Sequence, residues 1–121
     1  MTDRRRSLQS LDRLIRVREI RARQALAAAG RVEARRQAEA ALVLRIERLI
    51  DRAPASVGEV AALAASARAT GDDMLGALAD ASRSRLAVTA AEAAQLAQAL
   101  VRARAAVDAA VSRRALREDE A

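Results

Sequence analysis

Cysteine, histidine, tryptophan, tyrosine and phenylalanine are all missing from this 121-residue chain, and proline occurs once. Each absence removes a chemistry. Without thiols there is no disulfide and no thiolate nucleophile, and without imidazole neither a Ser-His-Asp nor a Cys-His pairing can form. Zinc and haem lose their usual ligands, which leaves only carboxylates for a hard cation. Those carboxylates are scattered and nearly all have an arginine nearby in sequence, so no enzyme, metal or cofactor is expected. The few glycines form no phosphate-cradling loop ahead of a helix, which argues against a nucleotide site. A long apolar run is missing too. The start, Met1 to Ser7, is basic, but Arg13, Arg16 and Arg18 interrupt the apolar segment that a secretory or twin-arginine signal would need. A soluble cytoplasmic protein without a transmembrane segment is the expectation.

What is present is arginine, alanine and leucine. All 22 basic residues are arginine, against 16 acids, for a net charge of +6 and a pI near 11.5, and alanine far exceeds its ordinary share. The charge is uneven. Through Arg52 there are fourteen arginines against seven acids, and from Ala53 onward eight against nine. Such asymmetry points to an anionic partner at one end.

Good helix formers dominate both sides of Pro54, the one strong breaker. Ser56 with Glu59 fits a capping box that would open a second helix. The reading is all-α: one coiled-coil hairpin over 1–121, with helix 1 at about 7–51, a loop at about 52–56 and a longer helix 2 at about 57–117. Thr70-Gly71-Asp72-Asp73 is where helix 2 would kink or divide, because glycine is costly inside a helix and threonine and aspartate favour caps.

In helix 2, Leu86, Ala90, Ala93, Leu96, Leu100, Ala103, Val107 and Ala110 follow the three-four spacing that keeps one seam towards a partner. In helix 1, Leu8, Leu11, Ile15, Ala22, Ala25, Ala29 and Val32 do the same, and after a drift Leu42, Ile46 and Leu49 resume the line. A hairpin about Pro54 would set opposite each other positions whose numbers add to roughly 109 or 110. Leu49 then meets Val60, Ile46 meets Leu63, Leu42 meets Ala67, Val32 meets Leu78, Ala29 meets Ala81, Ala22 meets Val88 and Leu14 meets Leu96. Two seam arginines also meet acids: Arg18 faces Glu92 and Arg36 faces Asp73, pairs that would fix the register. Residues after Val107 have no partner in this arrangement, so Ala109 to Ala121 would overhang or fray. An alanine seam buries less than a leucine one, at roughly 0.8 kcal/mol per methylene, so the hairpin is expected to work against a partner or to self-associate.

The stretch SLDRLIRVREIRARQAL, Ser10 to Leu26, sharpens the question of partner. Leu11, Leu14, Ile15, Arg18, Ala22 and Ala25 share one face, Arg13, Arg16, Arg21 and Arg23 spread around the rest, and Val17 and Ile20 fall outside the seam. Nucleic acid would be read with aromatics, asparagines or a single basic stripe, which are absent. A membrane surface would need the apolar face that the seam already uses. A protein ring or socket contacting the helix from several directions fits arginines on all sides.

The opening SLQSLDRLIRVREIRARQALAAAGRVEARRQAEAAL resembles the N-terminal helix of the flagellar export protein FliJ family, with its LxxLIRVRE-type start and long Ala/Glu/Arg/Gln continuation. Layout, size and basic character extend the similarity over almost the whole chain, although this chain has none of the aromatic or histidine residues that members often carry. The resemblance implies an antiparallel coiled-coil stalk of the bacterial flagellar type III protein export apparatus, with counterparts in injectisomes. It implies a cytoplasmic protein, peripheral at the inner face of the cell membrane, that stimulates a hexameric export ATPase and links it to the export gate membrane protein and to export chaperones. On that reading the ATPase ring would be contacted by Arg13, Arg16, Val17, Ile20, Arg21 and Arg23 with Arg113 and Arg114. The gate would be contacted by Met74, Leu75 and Leu78, although Leu78 is equally read as seam and Met74 as filler beside a kink. A coiled-coil adaptor for another partner, or an Arg-rich nucleic-acid-associated protein, is the alternative.

Overall fold

The computed structural model describes residues 2–52 and 59–120, with backbone alone over 59–66. The described residues form two α-helices, α1 at Thr2–Asp51 and α2 at Glu59–Asp119. The class is all-α, with the two helices packed against each other. The expected loop at 52–56, Pro54 and the cap residue Ser56 lie outside the described residues, apart from Arg52, and so do the side chains of Val60 and Leu63. α1 begins at Thr2, five residues before the expected start; Asp3 in its first turn complements the helix dipole. α2 is the longer helix and runs without interruption through Thr70, Gly71, Asp72 and Asp73. A Cβ placed on Gly71 would meet nothing within 4 Å, so no close approach demands glycine there.

The less exposed positions of α1 recur every seven residues from end to end. One set is Leu8, Ile15, Ala22, Ala29, Arg36, Val43 and Ile50, the a positions of a heptad; the other is Leu11, Arg18, Ala25, Val32, Glu39 and Ile46, the d positions. There is no drift. The seam after Val32 passes through Arg36 and Glu39 to Val43, Ile46 and Ile50, so Leu42 and Leu49, expected in it, stand exposed beside it. In α2 the same rule places Ala79, Leu86, Ala93, Leu100, Val107 and Arg114 at a, and Leu75, Ser82, Thr89, Leu96, Ala103 and Ala110 at d. The expected stripe from Leu86 to Ala110 is therefore found, except that buried Thr89 takes the d position in place of Ala90.

The chain divides into two compact units, Met1–Val32 with Glu92–Ala121 and Glu33–Ala91. In the first unit the helices are antiparallel. Arg4 donates to the Glu118 carbonyl at 2.9 Å, Arg114 pairs with Asp12, and Arg18 donates to the Ala106 carbonyl at 2.8 Å. These partners have numbers adding to between 122 and 126. The expected register of 109 or 110 is thus displaced by about two heptads, and the pairing of Arg18 with Glu92 is replaced by the bond to Ala106. The reason lies in the repeat: sliding one helix by seven residues restores the same stripe, so periodicity alone cannot choose among registers. The observed one covers the C-terminal part of α2, expected to overhang. Ala110 is 0 % exposed.

In the second unit Arg83 reaches Glu47 at 2.9 Å, numbers that add to 130. Its core is Val43, Ile46 and Ala79, the last two 3 % and 1 % exposed. The expected partners Leu42, Leu78, Ala81 and Val88 are all exposed and lie outside the seam. Arg36 does not depend on Asp73. It makes a two-pronged bond to Glu33 one turn earlier in α1, Nε to Oε2 at 2.9 Å and Nη2 to Oε1 at 2.6 Å.

Candidate functional site

The basic surface of the first unit grows directly from the heptad. With a and d committed to the seam, Arg13 and Ile20 take the f position, Arg16 and Arg23 take b, Val17 takes c and Arg21 takes g. These are the outward positions of α1, and all six side chains are exposed. Among the described residues, none of the four arginines is hydrogen-bonded or ion-paired. Four guanidinium groups with unused donors thus stand around two exposed aliphatic side chains, over about three turns of helix. Such a surface suits carboxylates, which arginine binds bidentately, with apolar contact alongside.

The two arginines expected to join from α2 differ. Arg113 is exposed, whereas Arg114 is half-buried and held by Asp12 across the helices and by Glu118 one turn on at 2.9 Å. Its bond to Asp12 first, and that to Glu118 second, push its pKa further up. Arg114 therefore acts in the fold and has few donors left for a partner.

Arg18 is the member of this stretch that sequence reasoning assigned to the seam, and it does lie there, part-buried. A helix carbonyl already engaged within its own helix still has a second lone pair, which the Arg18 guanidinium takes. No counter-carboxylate is needed. Reading only charge against charge missed this acceptor.

The residues expected to meet an export gate divide by burial. Met74 is 69 % exposed and Leu78 is also exposed, while Leu75 is half-buried in the seam. Neither Leu78 in the seam nor Met74 in a gap is therefore found. Among the described residues no three carboxylates gather where a cation could be held, and no helix is long and apolar enough to cross a membrane. No family model, curated protein or solved structure matches this chain.

Proposed function

We propose that the protein is a non-enzymatic stalk of a type III protein export apparatus of the flagellar kind, with its basic surface seated against the carboxylate-bearing inner wall of a hexameric export ATPase. The observation that carries this reading is the set of Arg13, Arg16, Arg21 and Arg23, unpaired among the described residues, on three heptad positions outside a and d, with Val17 and Ile20 exposed among them. The b, f, c and g positions together cover the outward half of α1, a convex face that the concave wall of a ring can follow. The LxxLIRVRE-type start that resembles the flagellar export family spans these same residues.

The mechanism is electrostatic and mechanical. Ring subunits that change position in turn would make successive contacts with arginines distributed about the helix, each contact exposed and therefore worth little alone. Small residues around them, Ala27 and Ala28 for instance, leave no protrusion on which a subunit would catch. The reading also asks for an export gate protein and export chaperones as further partners.

The test is the ATP hydrolysis rate and hexamer content of the same organism's flagellar-type export ATPase with and without this protein. Wild-type chain should raise both, and the triple variant Arg13→Glu, Arg16→Glu, Arg21→Glu should raise neither while keeping its helical circular dichroism. Equal stimulation by both proteins would remove the basic surface from the mechanism. No effect from the wild type would refute the stalk reading.

A further inference from the structure

The charges of the second unit are sorted by side. On α1 and α2 of this unit the acids Glu33, Glu47, Asp51, Asp73 and Asp80 fall on the e and b positions, while Glu39 and Asp72 fall on the seam positions d and a. Arg83 is at e too, and its bonds to Glu47 and Asp80 fix that side as one continuous flank of the helix pair. In an antiparallel pair the g positions of both helices then share the opposite flank.

That opposite flank is apolar. Leu42 and Leu49 stand at g on α1 and Leu78 at g on α2, each exposed, with Met74 and Val88 at the neighbouring c position, both 69 % exposed. Its charges are Arg35, Arg45, Arg52 and Arg85, with no acid on the g or c positions of either helix in this range. Arg45 has no partner among the described residues, and Arg85 gives only one bond, to Ser82 on its own helix. Five large apolar side chains thus stand exposed on one side of the helix pair, and apolar side chains gathered on one face mark a docking surface.

We infer that this flank is a docking surface for an amphipathic helix of another protein, one whose apolar stripe is bordered by glutamates or aspartates. Leu42 and Leu49 on one helix and Leu78 on the other supply two banks between which such a stripe can lie, read as anchors at i, i+3 or i+4, and i+7. Arg45 and Arg85 then meet carboxylates at the border. A second copy of this chain fits poorly. Its matching flank would set Arg45 and Arg85 against their own kind, and its acidic flank offers, among the described residues, only Leu44 as a large exposed aliphatic side chain. An anionic membrane fits less well than a helix, since the flank has no aromatic residue and the g-position leucines are half covered. The basic surface that carries the stalk reading lies in the other unit, whereas Met74 and Leu78 of this flank are the residues that the family resemblance would give to an export gate.

The experiment uses the full chain and a labelled synthetic helix of about 20 residues, roughly 30 Å long, with leucines at the anchor spacing and glutamates beside them. A second peptide carries lysine in place of each glutamate, and phosphatidylserine vesicles are run alongside. The glutamate peptide should bind in the micromolar range, on the order of 10 μM, and the lysine peptide at least tenfold more weakly. The double variant Leu49→Asp, Leu78→Asp should lose binding at least tenfold with unchanged helical circular dichroism. Arg45→Glu with Arg85→Glu should reverse the preference between peptides. Changing Arg13, Arg16 and Arg21 to Glu should leave peptide binding intact, which separates this flank from the basic surface. Absent binding, equal binding of both peptides, or binding that survives the double leucine change would overturn the proposal. So would vesicle binding without peptide binding, or concentration-dependent self-association that the leucine changes abolish.

Discussion

In the first unit polar groups cross from helix to helix: Arg4 to Glu118, Asp12 to Arg114, Arg18 to Ala106. In the second, several polar seam groups are satisfied within their own helix instead. Arg36 turns to Glu33, Arg85 to Ser82, and the Thr89 hydroxyl donates to the Arg85 carbonyl at 3.0 Å. Buried Ser82 and Thr89 thus avoid the cost of an unmet hydrogen bond without asking anything of α1. The first unit has Asp12 with Arg114 to specify a partner level; the second, beyond Arg83 with Glu47, relies on Val43, Ile46 and Ala79 and keeps a bare apolar flank. Contacts that specify a level belong where a register must be fixed, and self-sufficient helices belong where a surface must be left open.

The comparison is broken most severely through the second unit's core. Ile46→Ala should lower the unfolding free energy by about 2–4 kcal/mol, the usual cost of deleting a buried isoleucine, as read from urea unfolding followed by circular dichroism. Exposed Ile20→Ala in the first unit should change stability by less than about 0.5 kcal/mol.

A smaller effect, of opposite sign, comes from Glu39. Its Oε2 is buried and accepts no hydrogen bond among the described groups, in a seam position that wants an aliphatic side chain. Glu39→Leu should raise stability by about 1–3 kcal/mol, the desolvation cost of an unmet polar group, seen as a higher urea midpoint. An unchanged or lowered midpoint would mean the carboxylate has a structural partner.

The least effect is a pH dependence. Arg36 holds the Glu33 carboxyl below the usual carboxylate range by hydrogen bonding and charge, with Gln37 adding a bond. A depressed folded pKa stabilises the fold above the unfolded value and loses that stabilisation as pH falls through the folded one. Lowering pH from about 7 to about 3, across the ordinary carboxylate range, should therefore reduce the Tm of the wild type slightly more than that of Glu33→Gln, and equal losses would assign Glu33 no part.

Much of this was legible in the sequence, and the misses have physical causes. The stripe from Leu86 to Ala110 and the placing of Val17 and Ile20 outside the seam followed from spacing, because spacing alone decides which face a residue shares. Leu42 and Leu49 were drawn into the seam by their size, although the heptad count points to Val43 and Ile50. Register was not legible, since a seven-residue repeat with many alanines accepts several levels. Arg18 was correctly put in the seam, but a backbone carbonyl leaves no trace in the sequence as an acceptor. The sorting of acids to one flank of the second unit becomes visible only once a and d are fixed.

The repeat that hides the register also shapes how the first unit is reached. Carbonyls recur at every residue of α2, so Arg18 finds an acceptor at any level, and Ala22 and Ala25 offer little shape by which one level excludes another. During folding, helices that zip together seven residues out of step would bury a similar face and be held there until Asp12 and Arg114 pull them on. Such misaligned species would be kinetic traps, and a slow refolding phase whose amplitude grows in Asp12→Ala is the expected signature.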